Sequence, residues 1–501
     1  MKILKLFHLF NPLIIGIFFI LFLYSNNLGE GIKPFEVISL FFIVGIFSYS
    51  IYLISFFIYK NSSKASFYSL ILLFIFLSYG YFYDLLNEII FINELSRHRY
   101  LVPLILIYLL IQLILLKKKE WELKNFHKIF FMTFLTLIVI NLFSIISFDL
   151  RPSNPLFETK NINVKNEYND LPDVYHIVLD MYPTEDILKT RFEFDNSQFV
   201  NELESLGFRK EDMRSNYMWT RFSIPSTINM KHFHDATQEE INYMHETHYS
   251  FNKSVEAYLA KKIGYEIYEI STDDIKGFYG YFLGDFSRIF FRTNFIRVID
   301  DSPIRLHKVW TNINQKYFKD NIDELVKISS NNETTWVYFY SRPPHPPFIF
   351  NEDGSKNLDT NPYNEFAEDL TDIWDKEDKL DFIEQLKYLN NEVIDSIENI
   401  LSNSKNSIII IHSDHGIHNF YSKYNYETNE EISKEAYEEL FSTINFIYTP
   451  NKCISNDYKI GTNINIISTL FRKCFKLDIE DSENIQFWTD GSNVSEFELV
   501  E

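Results

Sequence analysis

The chain of 501 residues reads as an α/β protein in two joined parts: a five-helix transmembrane region, then a domain built on a mainly parallel sheet flanked by helices. Three observations predict this. The first third contains five long runs almost free of charge. Beyond residue 172, short apolar runs recur between longer segments of helical period. The charge balance also changes sign between the two parts.

The five apolar runs lie at about 9–24, 35–59, 65–83, 100–116 and 129–148, and among them only Glu36 is an acid or a basic residue. A lysine or aspartate at the centre of a membrane span costs roughly 2.5–3.5 kcal/mol, so runs this clean are suited to lipid. Each approaches the ~20 residues that cross a bilayer. A cleaved signal peptide accounts for the first run but not for the other four. Lys2 and Lys5 precede the first run, Lys60 and Lys64 follow the second, and Lys117, Lys118, Lys119, Lys124 and Lys128 separate the fourth from the fifth. The alternate loops have no positive excess. The positive-inside rule then sets the amino terminus in the cytoplasm and everything after the fifth span outside.

Residues 1–149 form the transmembrane region, 150–171 read as a linker with Pro152 and Pro155, and 172–501 form one exterior domain. Strand-like runs occur at 174–179, 265–270, 336–340, 407–412 and 444–448. The clearest helical stripe lies at 381–403, where Phe382, Leu386, Leu389, Val393, Ile397 and Ile400 keep a 3.6-residue period. Such alternation implies a parallel sheet with helices on both faces. Residues 277–299 are dense in Phe and Tyr, with Arg288 and Arg292 on one helical face. They read either as an interfacial segment or as a core helix whose arginines reach the surface, and the latter is favoured. Residues 1–149 carry 12 Lys/Arg and 8 Asp/Glu, net +4, whereas the remainder carries 35 and 60, net −25. That acidity keeps the domain soluble and excludes a nucleic-acid partner, which needs basic surface. The spacing of Cys453 and Cys474 leaves open whether they pair.

The most informative stretch is 406–416, where four isoleucines lead into His412-Ser413-Asp414-His415-Gly416. Ligands bind at the carboxyl ends of parallel strands, and a carboxylate beside an imidazole there suits a divalent cation. Asp180 ends a second apolar run, Val174 to Leu179, and reads equally as a turn or cap residue. Thr220 opens a short helical pattern, a common N-cap position that also favours an anionic oxygen. His412 and His418 flank the Asp-His pair and are candidates to support it from behind, but His412 is expected to point into the sheet and His418 into solvent.

Taken together, these segments resemble the sulfatase and alkaline-phosphatase superfamily, in particular its membrane-bound branch of lipoteichoic acid synthases and phosphoethanolamine transferases. The resemblance covers roughly 172–475 and implies an alkaline-phosphatase-like domain. It implies that Asp180, Asp414 and His415 hold a divalent metal (Mn, Zn, Mg or Ca) together with the hydroxyl of Thr220, the nucleophile. His345, in Arg-Pro-Pro-His-Pro-Pro-Phe, matches a substrate-side histidine that protonates the leaving alcohol or holds phosphate. Arg342 and Arg221 are candidate phosphate contacts. Formylglycine sulfatases require Cys or Ser where Thr220 stands, so threonine favours phosphoryl transfer. Met181 also replaces the second of the paired aspartates usual in sulfatases.

The implied activity is transfer of phosphoethanolamine or phosphoglycerol from a membrane lipid donor to a surface glycan or lipid, in a bacterial inner membrane. Hydrolysis of sulfate or phosphate esters and a non-catalytic envelope scaffold are the alternatives. Nothing in the sequence fixes the oligomeric state. A reporter fused after Lys124 should behave as cytoplasmic and one after Asn161 as exterior; the reverse pattern would place the acidic domain in the cytoplasm.

Overall fold

The computed structural model describes residues 2–28, 32, 34–88, 97–118, 123–149, 162, 164, 170–248, 250–272, 285–301, 307–331, 333–357, 374, 376–404, 406–418, 434–488 and 498–499. The chain divides into two compact units, Met1–Pro152 with Ile275–Leu306, and Ser153–Asp274 with His307–Glu501. Of the expected linker, only 162, 164, 170 and 171 are described.

The first unit contains α1 (Lys2–Asn26), α2 (Pro34–Tyr59), α3 (Ser62–Glu88), α4 (His98–Lys118) and α5 (Lys124–Asp149). Each holds a stretch long and apolar enough to cross a membrane, from Phe7–Asn26 to Asn125–Phe148. The five charge-free runs are therefore five helices. Some polar side chains inside this bundle pair across helices: Asn11 Nδ2 donates to His127 Nδ1 at 3.0 Å, and Ser25 Oγ to Asn141 Oδ1 at 2.7 Å. A buried amide or hydroxyl without a partner would be costly there.

The second unit runs β1 (Asp173–Leu179), α6 (Glu185–Phe192), α7 (Ser197–Ser205), β2 (Arg209–Lys210), α8 (Thr220–Asn229), α9 (Gln238–His248), α10 (Val255–Ile263) and β3 (Glu266–Ser271). After the excursion into the first unit by α11 (Asp285–Thr293) and α12 (Arg297–Asp300) come α13 (His307–Ile328), β4 (Thr335–Ser341), α14 (Lys376–Asn403) and β5 (Ser407–His412). Then follow α15 (Lys434–Phe441), β6 (Asn445–Tyr448) and α16 (Ile466–Cys474). The sheet order is β2-β6-β5-β1-β4-β3. β1 pairs in parallel with β4 and β5, as does β3 with β4, while β6 and β2 complete one edge antiparallel. The five expected strands are all present. The added two-residue β2 carries too short a pattern to be read from sequence.

Alternate residues of each central strand enter different cores, as the two-residue period requires. Tyr175, Ile177, Val337, Phe339, Ile409 and Ile411 pack with Phe199 of α7, Phe318 of α13 and the α14 stripe. Val174, Val178, Trp336, Ile408 and Ile410 pack with Phe222 of α8, Met244 of α9, Leu259 of α10 and Phe471 of α16. Cys453 and Cys474 form a disulfide.

The aromatic segment departs from the favoured expectation. Residues 277–284 lie outside the described residues, but α11 and α12 pack into the first unit rather than beside the sheet. Phe286 and Phe290 bury against Val37, Leu40, Leu73 and Leu77. Arg288 is buried rather than reaching the surface. The Phe286 amide donates to Glu36 Oε2 at 3.0 Å, and Arg297 Nη1 meets Asp84 Oδ1 at 2.6 Å. Close approach needs glycine at position 80, where a Cβ would stand 2.2 Å from the Arg292 carbonyl oxygen. Gly80→Val should therefore lift this segment off α3 and speed tryptic cleavage after Arg292 and Arg297 in the solubilised full-length protein. Unchanged cleavage would show that the contact does not hold the segment.

Candidate metal centre and nucleophile

Parallel pairing of β1 with β5 sets Val178 opposite His412. Two residues further along each chain stand Asp180 and Asp414, on the same face and with exposures of 3% and 0%. Met181 then turns to φ +58°. Its amide donates to Asp414 Oδ1 at 3.1 Å, and the His415 amide donates to the same oxygen at 2.9 Å. Among the described residues Asp414 Oδ2 has no hydrogen-bond partner although it is buried. Asp180 Oδ2 accepts from the Tyr340 hydroxyl at 2.6 Å. Its Oδ1 lies 3.4 Å from His415 Nε2 and accepts from Thr220 Oγ1 at 3.4 Å.

His415 Nδ1 lies 2.7 Å from the Gly416 carbonyl, which only accepts, so Nδ1 carries the hydrogen. In the neutral ring Nε2 is then bare, 3.0 Å from Thr220 Oγ1 and 3.7 Å from Asp414 Oδ2. Thr220 is the first residue of α8; the cap position is Trp219, and no side chain caps it. The Thr220 hydroxyl is thus turned to the carboxylates instead of its own helix. Asp180 likewise caps nothing, since α6 begins after Thr184.

Ser413 fixes the turn between β5 and the site with every polar atom. Its amide donates to Ile444 O at 3.0 Å, and its carbonyl accepts from Asn463 Nδ2 at 2.7 Å. Its hydroxyl accepts the Tyr182 amide at 2.7 Å and donates to His415 O at 2.8 Å. Ser223 Oγ donates to the Asp414 carbonyl. Gly416 is required for close approach: a Cβ there would stand 2.0 Å from Glu439 O.

Burial, with the charge of Asp180 next, pushes the Asp414 carboxyl up to about 6. Two carboxylates this close resist ionising together. One donor atom each from Asp180, Asp414 and His415 lie within 4.8 Å of one another. Hard oxygens, a bare imidazole nitrogen and an orphaned carboxylate oxygen fit a divalent cation.

The remaining sequence candidates divide. His345 and Arg342 follow β4 and line one small cavity of about 20 Å³ with Thr272 and Asn314. His345 Nδ1 donates to Pro346 O at 2.7 Å. Burial first, then the Arg342 guanidinium, lowers this imidazole to about 3. It is neutral, with Nε2 as acceptor. Arg342 Nε donates to Pro346 O at 3.2 Å, which ties it to its own loop. Arg221 packs over the Phe222 ring at 4.9 Å, and its charge, after burial, helps lower His245 to about 4. His412 points into the sheet as expected. His418, expected in solvent, turns inward: its Nε2 donates to Met218 O at 2.6 Å and its ring lies 4.9 Å from that of His415. Tyr340 and Ser223 carry no motif, and only strand parity would have singled out Tyr340; Ser413 and His418 lie in or beside the Asp-His stretch, without a signal for the contacts they make.

No protein-family profile and no curated protein matches the chain. Similar solved structures include the C-terminal periplasmic domain of EcEptC from Escherichia coli in complex with Zn, at 10% identity and TM-score 0.39, covering 64% of this chain and 85% of that one. The lipoteichoic acid synthase LtaP from Listeria monocytogenes has 14% identity and TM-score 0.33, covering 65% and 78%. The soluble domain of lipooligosaccharide phosphoethanolamine transferase A from Neisseria meningitidis has 11% identity and TM-score 0.37, covering 64% and 92%. These belong to the sulfatase and alkaline-phosphatase superfamily that the motifs resemble. At such identities and scores the likeness carries no activity or substrate to this chain.

A metal must displace the proton that Asp414 holds below about pH 6. Metal affinity should therefore climb as pH rises from about 5 to about 7 and level off above. Asp414→Asn should abolish both the binding and its pH dependence, as read by zinc titration of metal-free protein.

Proposed function

We propose that the chain is a membrane-anchored, metal-dependent phosphotransferase that moves a phosphoryl-alcohol group through a covalent intermediate on Thr220. The observation that carries this reading is the setting of Thr220 Oγ1, 3.0 Å from His415 Nε2 and 3.4 Å from Asp180 Oδ1 at the first turn of α8. A hydroxyl among metal-type donors at a helix amino terminus is suited to bearing negative charge. A divalent ion held by Asp180, Asp414 and His415 would supply Lewis acidity toward the Thr220 oxygen and the phosphoryl oxygens.

The chain's own groups account for the rest. Thr220 Oγ1 forms a bond to phosphorus as the bond to the donor's alcohol oxygen breaks, and the threonine proton ends on that alcohol. An acceptor hydroxyl then attacks phosphorus, Thr220 leaves, and the acceptor's proton ends on the re-formed threonine hydroxyl. His345 Nε2, bare because Nδ1 is committed to Pro346, is an atom able to hold that proton in between. Passing that proton to the departing oxygen is the role the resemblance implies for His345, with holding the phosphate as its alternative.

Five apolar helices support a membrane anchor, and with it a lipid donor and an acceptor at the same surface. The lysine bias and the Cys453–Cys474 disulfide support an exterior catalytic domain, since disulfides persist in oxidising compartments. Phosphoethanolamine or phosphoglycerol is the group proposed, and a surface glycan or lipid the acceptor.

Thr220→Ala should lower turnover to below about one-thousandth of wild type with metal content retained, and Thr220→Ser should restore part of it. Mass spectrometry after incubation with lipid extract should find an adduct on Thr220 that builds up without acceptor. Rapid release of free phosphate ester with no adduct would instead identify a hydrolase.

A further inference from the structure

Beneath the metal centre lies a hydrogen-bonded chain that the reaction above does not use. His412 Nδ1 lies 2.9 Å from the Ser413 carbonyl oxygen. His412 Nε2 lies 2.8 Å from His176 Nε2, with the rings stacked at 5.0 Å. His176 Nδ1 meets Glu256 Oε1 at 2.9 Å and Oε2 at 3.1 Å, and Trp336 Nε1 donates to Glu256 Oε1 at 2.9 Å. His176 and Glu256 are wholly buried, and His412 is 2% exposed.

The acceptors fix where the hydrogens are. A carbonyl oxygen only accepts, so His412 carries its hydrogen on Nδ1. Two ring nitrogens 2.8 Å apart share one hydrogen, because two would collide and none would set lone pair against lone pair. Among the described residues no carboxylate bonds to His412, whereas His176 faces Glu256. The shared hydrogen therefore belongs to His176. One further hydrogen lies between His176 Nδ1 and Glu256, and on either atom the pair stays neutral overall. A neutral, fully bonded chain is the form in which such groups survive burial.

We propose that His176, backed by Glu256, is a positioning residue for the metal centre: it holds His412 in the Nδ1–H form and, through the Ser413 carbonyl, fixes Asp414 and His415 for metal binding. The Ser413 carbonyl belongs to the peptide unit that enters Asp414, so turning that plane moves the carboxylate. Without the His176 donor, His412 is released to carry its hydrogen on Nε2. A bare Nδ1 would then face the Ser413 oxygen and repel it. The inference rests on the metal-centre reading, as a contribution from α10 and the interior of β1 that no motif marks. Partners behind metal ligands typically change affinity by about 10–100-fold.

The test uses metal-free, full-length protein in lipid nanodiscs, titrated with Zn²⁺. His176→Leu and Glu256→Leu should each weaken Zn²⁺ binding by about tenfold or more. Glu256→Gln keeps an acceptor for Trp336 and gains a donor for His176 Nδ1, so it should recover affinity to within about threefold of wild type. Wild-type affinity in folded His176→Leu, or equal damage from Glu256→Gln and Glu256→Leu, would overturn the proposal. The ¹⁵N shifts of metal-free wild type supply a reading independent of variants and of Thr220 chemistry. They should show His412 protonated at Nδ1 and bare at Nε2; the opposite tautomer would refute the arrangement even if zinc binds.

Discussion

Two carboxylates forced to share a dry space govern the architecture of the site. Asp180 and Asp414 are 234 positions apart in sequence and meet because β1 and β5 run parallel in one register. A slip of one residue in either strand would send its carboxylate into the opposite core. That register is in turn held by two apolar cores, one on each face, so the sheet cannot relieve the repulsion by shifting. A divalent cation held between the two carboxylates would relieve what the strands cannot.

Around that pair the protein spends backbone groups rather than opposing side-chain charge. Asp414 Oδ1 takes two amides, and Ser413 has donors and acceptors on every polar atom. Tyr340 takes one oxygen of Asp180. What is left pointing inward is one oxygen of Asp414 and one nitrogen of His415. Fixed dipoles of this kind keep their orientation while charge develops, which is the condition for stabilising a transition state without reorganisation.

Much of this was legible from local pattern. The strands declared themselves by apolar runs, and Asp180, Asp414 and His415 by standing at the ends of those runs. Thr220 was legible only through the family resemblance, since its local signal equally suited a cap. Ser223 and Glu256 were not legible, because each acts on a residue distant in sequence and sits in an ordinary helix, while Tyr340 was marked only by strand parity and His418 only by its place beside the Asp-His pair. The tautomer of His345 was not legible, since it depends on the Pro346 carbonyl, a matter of loop geometry. The segment containing Phe286 and Arg297 was misplaced for a related reason. Its partners Glu36 and Asp84 lie more than two hundred positions away, and amphipathic period says nothing about which apolar surface a helix will choose.

That segment changes what it means to cut this protein. A fragment beginning near residue 172 looks like a complete water-soluble domain, yet it takes α11 and α12 with it and leaves their partners behind. Phe286 and Phe290, buried against α2 and α3 in the intact chain, would then face water beside Arg288, itself stripped of its surroundings. Exposed aromatic patches of this kind drive self-association. A tractable soluble form would have to lose the interior excursion as well as the amino-terminal helices, with Asp274 rejoined to His307. The first unit is discontinuous in sequence, and its last piece is filed between two stretches of the second.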